Sequence, residues 1–175
     1  MKRSPLNSAA AEVLAQGETL LRSFNDNDYT RKLPTAFHSA VGQHYRHCLD
    51  HFECFLRGFN TDAVDYDNRD RDPRIENDRA FAISETRRLQ KACESIPVRL
   101  LDCPIKVRSK ANYELDVAPL ITSTVGRELM YAVAHAIHHY ALIAVMCGML
   151  GLRVPEGFGI APSTLKYRSD QQKAA

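Results

Sequence analysis

Apolar residues recur every three to four positions through four long stretches of this chain, a period that predicts helices. The first runs from Ser4, an N-cap before Pro5, to about Phe24, along a stripe of Leu6, Ala10, Val13, Leu14, Leu20, Leu21 and Phe24. Asn25-Asp26-Asn27-Asp28 then breaks it. The second begins between Thr35 and Ser39 and ends near Gly58, read as a C′ residue. Asp72-Pro73 reads as the N-cap and first position of a third helix, roughly 73 to 95. Its stripe (Ile75, Ala82, Leu89, Cys93, Ile96) is thin, so one broad face is expected in solvent. The fourth runs from Ser123 or Thr124 to about Met149, closed by Gly148 or Gly151. Its stripe of Val125, Leu129, Ala132, Ala136, Ile143, Met146 and Leu150 takes in His139. Val133, Ile137, Leu142 and Val145 lie outside that stripe, so burial on most sides is expected.

Residues 97–121 lose the helical period. Val98-Arg99-Leu100-Leu101 and Ile105-Lys106-Val107-Arg108 look extended, punctuated by Pro97, Pro104 and Pro119. The pattern as a whole predicts an all-α fold. It is a four-helix bundle with one long crossover, carrying a short β-hairpin, between helices 3 and 4. A length of 175 residues suits a single domain over 1–175 with its own core.

Charge and cysteine usage narrow the partners. A net charge of +2, with acids and bases interleaved as in Asp67-Asn68-Arg69-Asp70-Arg71-Asp72, gives no electrostatic case for nucleic acid or anionic membrane as the main partner, so neither is expected. Met1-Lys2-Arg3-Ser4-Pro5 leads into an amphipathic segment, so no signal peptide is expected. Ala132 to Leu152 is the greasiest stretch, but it contains three histidines and falls short of a clean membrane span. Cys48, Cys54, Cys93, Cys103 and Cys147 are scattered among apolar neighbours without a Cys-x-x-Cys, as reduced, mostly buried thiols of a cytoplasmic protein would be.

The histidines carry the chemistry. Six of seven fall in two clusters, Gln43-His44-Tyr45-Arg46-His47-Cys48-Leu49-Asp50-His51 and Ala134-His135-Ala136-Ile137-His138-His139-Tyr140. His135 and His139 stand about 40° apart around a helix axis and about 6 Å along it, a spacing at which two side chains can grip one ion. His44, His47 and His51 line one face of the second helix. One of them, opposite the pair, completes a three-nitrogen site with an open position, the pattern of catalytic zinc. His38 and His138 read as surface or supporting residues, and His51, if not a ligand, as a solvated residue or else as a supporting donor or acid/base partner.

His135-Ala136-Ile137-His138-His139 resembles the His-x-x-His-His of the fourth helix in the DinB-like metal-binding family. Gly42-Gln43-His44-Tyr45-Arg46-His47 resembles that family's Gly-x-x-x-x-His, and His47 to Phe55 also resembles the corresponding helix of ergothioneine-pathway sulfoxide synthases. The resemblance covers essentially the whole chain. It implies a four-helix bundle holding Zn²⁺, Ni²⁺ or Fe²⁺ through His47, His135 and His139. His44 and His51 are extra imidazoles beside the expected ligand. The resemblance further implies a homodimer and a metal-dependent enzyme acting on a small-molecule electrophile. The reaction would be thiol-dependent S-transfer, with a low-molecular-weight thiol such as bacillithiol or mycothiol, or hydrolysis.

A rival expectation is a non-catalytic metal-binding or stress-linked dimeric bundle, with exposed apolar residues of the first helix as its seam. Asp50, Glu53 or another histidine would then close the site as a fourth ligand. The charged run Tyr66 to Asp78 reads as a solvated loop held by salt bridges and caps, with Arg69 or Arg71 as alternative anion clamps. Arg127 and Glu128 stand at the pocket mouth or form a rim pair.

Overall fold

A computed structural model describes residues 4–110, 112, 114 and 116–174. The chain is mostly helical, with a small three-stranded sheet. Helix α1 spans Pro5–Ser23, α2 Asp26–Thr30, α3 Val41–Thr61, α4 Pro73–Asn77, α5 Arg79–Ser95, α6 Val125–Met149 and α7 Pro162–Ala174. Strand β1 covers Ala63–Asp65, β2 Pro104–Arg108 and β3 Leu120–Thr124. The four long helices pack in pairs: α1 against α5 and α6, α3 against α5 and α6.

Helix starts follow the cap chemistry. Ser4 Oγ accepts from Asn7 N at 3.0 Å and Pro5 holds the first helical position. Thr124 caps α6 through Arg127 N at 3.2 Å. The Asn25 to Asp28 breaker ends α1 as expected, but Asn25 then caps a further short helix, with Asp28 N donating to its Oδ1 at 2.8 Å. The predicted third helix is two. Asp78 leaves the helical region (φ −122°, ψ 102°), and its carboxylate caps α5 through Phe81 N at 2.9 Å. Gly58 does not end α3. The helix continues to Thr61 and closes at Asp62, whose φ of 60° is left-handed. Gly58 is required for packing instead, because a Cβ there would meet Val64 Cα at 2.6 Å.

The crossover also differs from expectation. Val98–Leu100 forms a 3-10 turn, and β2 pairs antiparallel with β3, with Val107 opposite Ile121. The third strand, β1, lies parallel to β2 with Val64 opposite Val107. Ile105, Val107 and Val64 point inward, while Leu120 and Ile121 are exposed. This sheet matters for the site: β1 leaves the end of α3 and β3 enters the start of α6. The two helices therefore meet at one end of the molecule and run antiparallel, side by side.

Helix α6 is less enclosed than its composition suggests. Leu129, Ala132, Ala136, Tyr140, Ile143 and Met146 are buried, whereas Met130, Val145 and Met149 are half exposed or more. Contrary to the sequence reading, α6 is long and apolar enough to cross a membrane by length and composition alone. Here it packs on α1 and α3 and carries polar imidazoles. The apolar stripe of α1 is mostly buried, with Leu6 partly so, and none of the large exposed apolar side chains among the described residues lies on that helix. Helix α7, polar and exposed, had no counterpart in the periodicity.

Candidate metal centre

On α3 the i, i+3, i+7 spacing sets His44, His47 and His51 on one face, and on α6 the i, i+4 spacing does the same for His135 and His139. Running the helices antiparallel interleaves them into a ladder. His51 lies on His135 with ring centroids 3.8 Å apart, His47 sits 5.0 Å from His135 and 4.5 Å from His139, and His44 is 5.5 Å from His139. His47 Nε2 and His135 Nε2 are 3.0 Å apart. His47, His135 and His139 each offer a ring nitrogen, and these all lie within 4.8 Å of one another. Metal–imidazole bonds of about 2.0–2.1 Å span a gap of nearly this size, so one first-row ion fits the donor set. Among the described residues no other His, Cys, Asp or Glu joins the group.

Burial sets the protonation state. It pushes His47 down to about 3, helped by His51, His139 and His135. It lowers His135 and His139 to about 4 each. All three imidazoles are neutral at pH 7, the form that ligates a metal.

Gly42, five residues before His47, has a physical reason to be glycine. A Cβ there would meet the Glu76 carbonyl oxygen at 2.3 Å, so the first turn of α3 lies directly against α4. That contact fixes the angle at which α3 presents its histidines.

The surroundings revise several expectations. His51 is 3% exposed, not solvated; its Nδ1 lies 2.9 Å from the His47 carbonyl oxygen, an acceptor, so Nδ1 carries the proton. Burial lowers its pKa to about 4, partly opposed by that bond. His44 Nε2 contacts Ser39 Oγ at 2.9 Å and His44 Nδ1 lies 3.3 Å from His139 Nδ1. His38 and His138 are exposed, the latter edge-on to His139. Asp50 pairs with Arg46 at 3.0 Å and Glu53 with Arg88, so neither carboxylate is turned to the triad.

Glu128 is no rim residue. It is buried and accepts from Tyr66 Oη at 2.9 Å and from Ser123 Oγ at 2.6 Å. Burial and that carboxylate push the Tyr66 phenol far above its usual range. Tyr66 and Tyr131 stack around His51 and His135, extending the ladder toward the sheet. Sequence reasoning missed both tyrosines. Tyr131 carried a signal, one helical turn before His135; Tyr66 reaches the site from a loop and carried none. The charged run is only in part the solvated loop expected: Arg57 bonds Asp70 at 2.8 Å and Asp72 caps α4 through Arg74 N at 2.9 Å, but Tyr66 and Ile75 are buried and Arg69 Nε is buried without a hydrogen-bond partner.

The other side of the triad is open. His47 and His139 line a groove of about 460 Å³ together with Phe37, Gln43, His44 and Arg46. A mostly helical protein with two facing helices, three convergent neutral histidines and an open groove is the class these features define. The DinB family model matches residues 8–159, and the chain belongs to the DinB family. It is also 41% identical over 109 residues to FK506-binding protein 5 of Rhizopus delemar. That match covers 62% of this chain but 28% of the relative, so the chain corresponds to a minor part of that protein's length. No solved structure matches. Family membership and the histidine cluster are both compatible with metal binding.

Proposed function

We propose that the chain is a metal-dependent enzyme, a single four-helix-bundle domain over residues 1–175, holding Zn²⁺, Ni²⁺ or Fe²⁺ through His47, His135 and His139. Its reaction is thiol-dependent S-transfer, or hydrolysis, on a small electrophile. The observation that carries this reading is the convergence of three neutral imidazoles beside an open groove. A divalent ion bound there lowers the pKa of a thiol or water within its reach. The chain's own residues hold the donors in place: Nδ1–H of His51 donates to the His47 carbonyl, and the Tyr66–Glu128–Ser123 network backs the His51–His135 stack. Arg46, Gln43 and His44 offer polar contacts to whatever enters the groove. In S-transfer the thiol sulfur forms a bond to the electrophilic carbon, the leaving group departs with its electron pair, and the thiol proton passes to solvent.

A second reading rests on a specific observation. Asp50 and Glu128 are both engaged, and among the described residues no carboxylate joins the three-histidine group to serve as a general base. On that reading the protein is a non-catalytic metal-binding bundle, dimeric through exposed apolar residues of β3 and α6 such as Ile121 and Met130. Under either reading we place it in the cytoplasm, as a homodimer without nucleic-acid or membrane partners.

The test is a rate measurement with metal-loaded protein, bacillithiol or mycothiol, and monobromobimane as electrophile. The enzyme reading predicts thioether formation above the spontaneous rate, abolished by a chelator and restored by the ion. A rate equal to the spontaneous one with every thiol, and with ester substrates for hydrolysis, favours the non-catalytic reading.

A further inference from the structure

The loop before α3 holds an unusual residue. Phe37 is 88% exposed, and both it and His38 have left-handed backbone, with φ of 54° and 55°. Bulky residues keep that conformation where their surroundings impose it, and such positions cluster at ligand sites. Three contacts impose it here. Leu33 and Ser39 close the loop as a β-bridge, Thr35 Oγ1 donates to Met149 Sδ at 3.3 Å, and Ser39 Oγ meets His44 Nε2 at 2.9 Å. The loop is thereby pinned between the end of α6 and the histidine ladder.

Phe37 lines a second cavity, of about 100 Å³, together with His44, Leu142, Val145, Met146 and Met149. Its walls are apolar apart from His44 and Thr35. Phe37 and His44 also line the groove over the triad, so the two spaces adjoin through these side chains. A polar groove that reaches His47 and His139 therefore has an apolar annex on the His44 side.

We propose that this annex is a subsite for the apolar tail of the ligand. The molecule that occupies the three-histidine site is then an amphiphile. Its polar, metal-seeking head lies at His47, His135 and His139, and a short alkyl chain lodges between Phe37 and the Met146–Met149 turn of α6. The inference rests on the reading of the triad as a metal site and adds the substrate class. Methionine suits the role, because its flexible thioether adapts to alkyl groups of different shape. An alkyl chain between Phe37 and this turn withdraws apolar surface from water on both sides, which is the driving force for binding.

The experiment uses the full chain labelled with ¹³C at the methionine methyls. Zinc-loaded protein is titrated with acetohydroxamate and with hexanohydroxamate. Affinity is expected to rise about fourfold for each methylene buried. The longer compound should shift the Met146 and Met149 signals and leave Met130, exposed elsewhere on α6, unmoved. In Phe37→Ala and Val145→Asp, both changed at exposed positions, the gain with chain length should vanish. Equal affinities for the two compounds, or shifts at Met130 alone, overturn the subsite while leaving the metal reading intact.

The same titration with 1-hexanol on metal-free protein separates the two claims. If the triad binds no metal, the hydroxamate heads lose their anchor, yet hexanol must still shift Met146 and Met149. Failure to do so overturns the subsite. Concentration-dependent shifts of these two signals without any added alkyl compound would assign the annex to a second copy of the chain and also overturn it.

Discussion

His47 on α3 and His135 on α6, separated by 88 residues in sequence, face each other with their Nε2 atoms 3.0 Å apart. Burial lowers both imidazoles to about 3 and about 4, so neither carries a charge at pH 7. One of the two nitrogens has to carry a proton for a hydrogen bond, or both turn lone pairs toward a shared ion. His51 takes a different part, since its protonated Nδ1 is committed to the His47 carbonyl. His51→Phe is therefore expected to keep about one metal per chain, with affinity weakened by roughly 10–100-fold, the usual effect of removing a residue that supports a ligand. Complete loss of metal in His51→Phe would make it a ligand.

The depressed histidines predict how the metal-free protein responds to acid. Unfolded histidines titrate near 6.5, whereas His47, His51, His135 and His139 in the fold titrate at about 3 to 4. Between those values the unfolded chain binds more protons than the folded one, so stability falls as pH drops. The melting temperature of metal-free protein should decline between pH 6.5 and about 4, and His47→Ala should decline less steeply. A melting temperature flat through that window would contradict the buried, neutral state of the cluster.

Gly17 sits in the middle of α1, where alanine would ordinarily stabilise a helix by up to about 1 kcal/mol. Here a Cβ would come within 2.2 Å of Tyr140 Oη and 2.6 Å of Tyr45 Oη. Both tyrosines are fully buried and bonded, Tyr140 to the Val13 carbonyl at 3.1 Å and Tyr45 to Thr86 at 2.8 Å. Gly17→Ala should therefore destabilise by about 1–3 kcal/mol, the usual cost of overpacking, in denaturant unfolding. A stabilised variant would mean that the α1–α3–α6 contact is looser than described.

Tyr66→Phe removes a donor to a buried carboxylate and changes little else. Glu128 would keep the Ser123 bond alone. A hydrogen bond to a charged group contributes about 1.5–3 kcal/mol, so chemical denaturation should show a loss in that range. Glu128→Gln combined with Tyr66→Phe should cost less than the sum of the two changes, because they share one interaction. Strict additivity would exclude the network.

Much of the fold was legible because local signals and packing agreed. Ser4-Pro5 and Thr124 mark helix starts that the structure keeps, and the stripes of α1 and α6 fall on buried faces. The misses have physical causes. Asp78 serves as cap for α5 in the middle of a continuous helical pattern, where nothing in the period marks a break. Gly58 looked like a terminus because its packing reason, the close approach of Val64, is tertiary. Strand β1 is three residues long, too short for alternation to show. At the site, the i, i+4 pair and the α3 face were readable from spacing. Which of His44, His47 and His51 shares a ring-nitrogen group with the α6 pair depends on how α3 and α6 pack, which no local pattern carries, and the Tyr66–Glu128 pair joins residues 62 positions apart that no local pattern connects.

The central claim is that His47, His135 and His139 hold one metal ion. It is tested most directly by elemental analysis of untagged protein, comparing the wild type with His47→Ala, His135→Ala and His139→Ala. The structure predicts about one transition metal per chain in the wild type and loss in all three variants, with circular dichroism confirming that each remains helical. A folded wild type that takes up no metal after refilling, or a His47→Ala variant that retains it, would contradict this assignment.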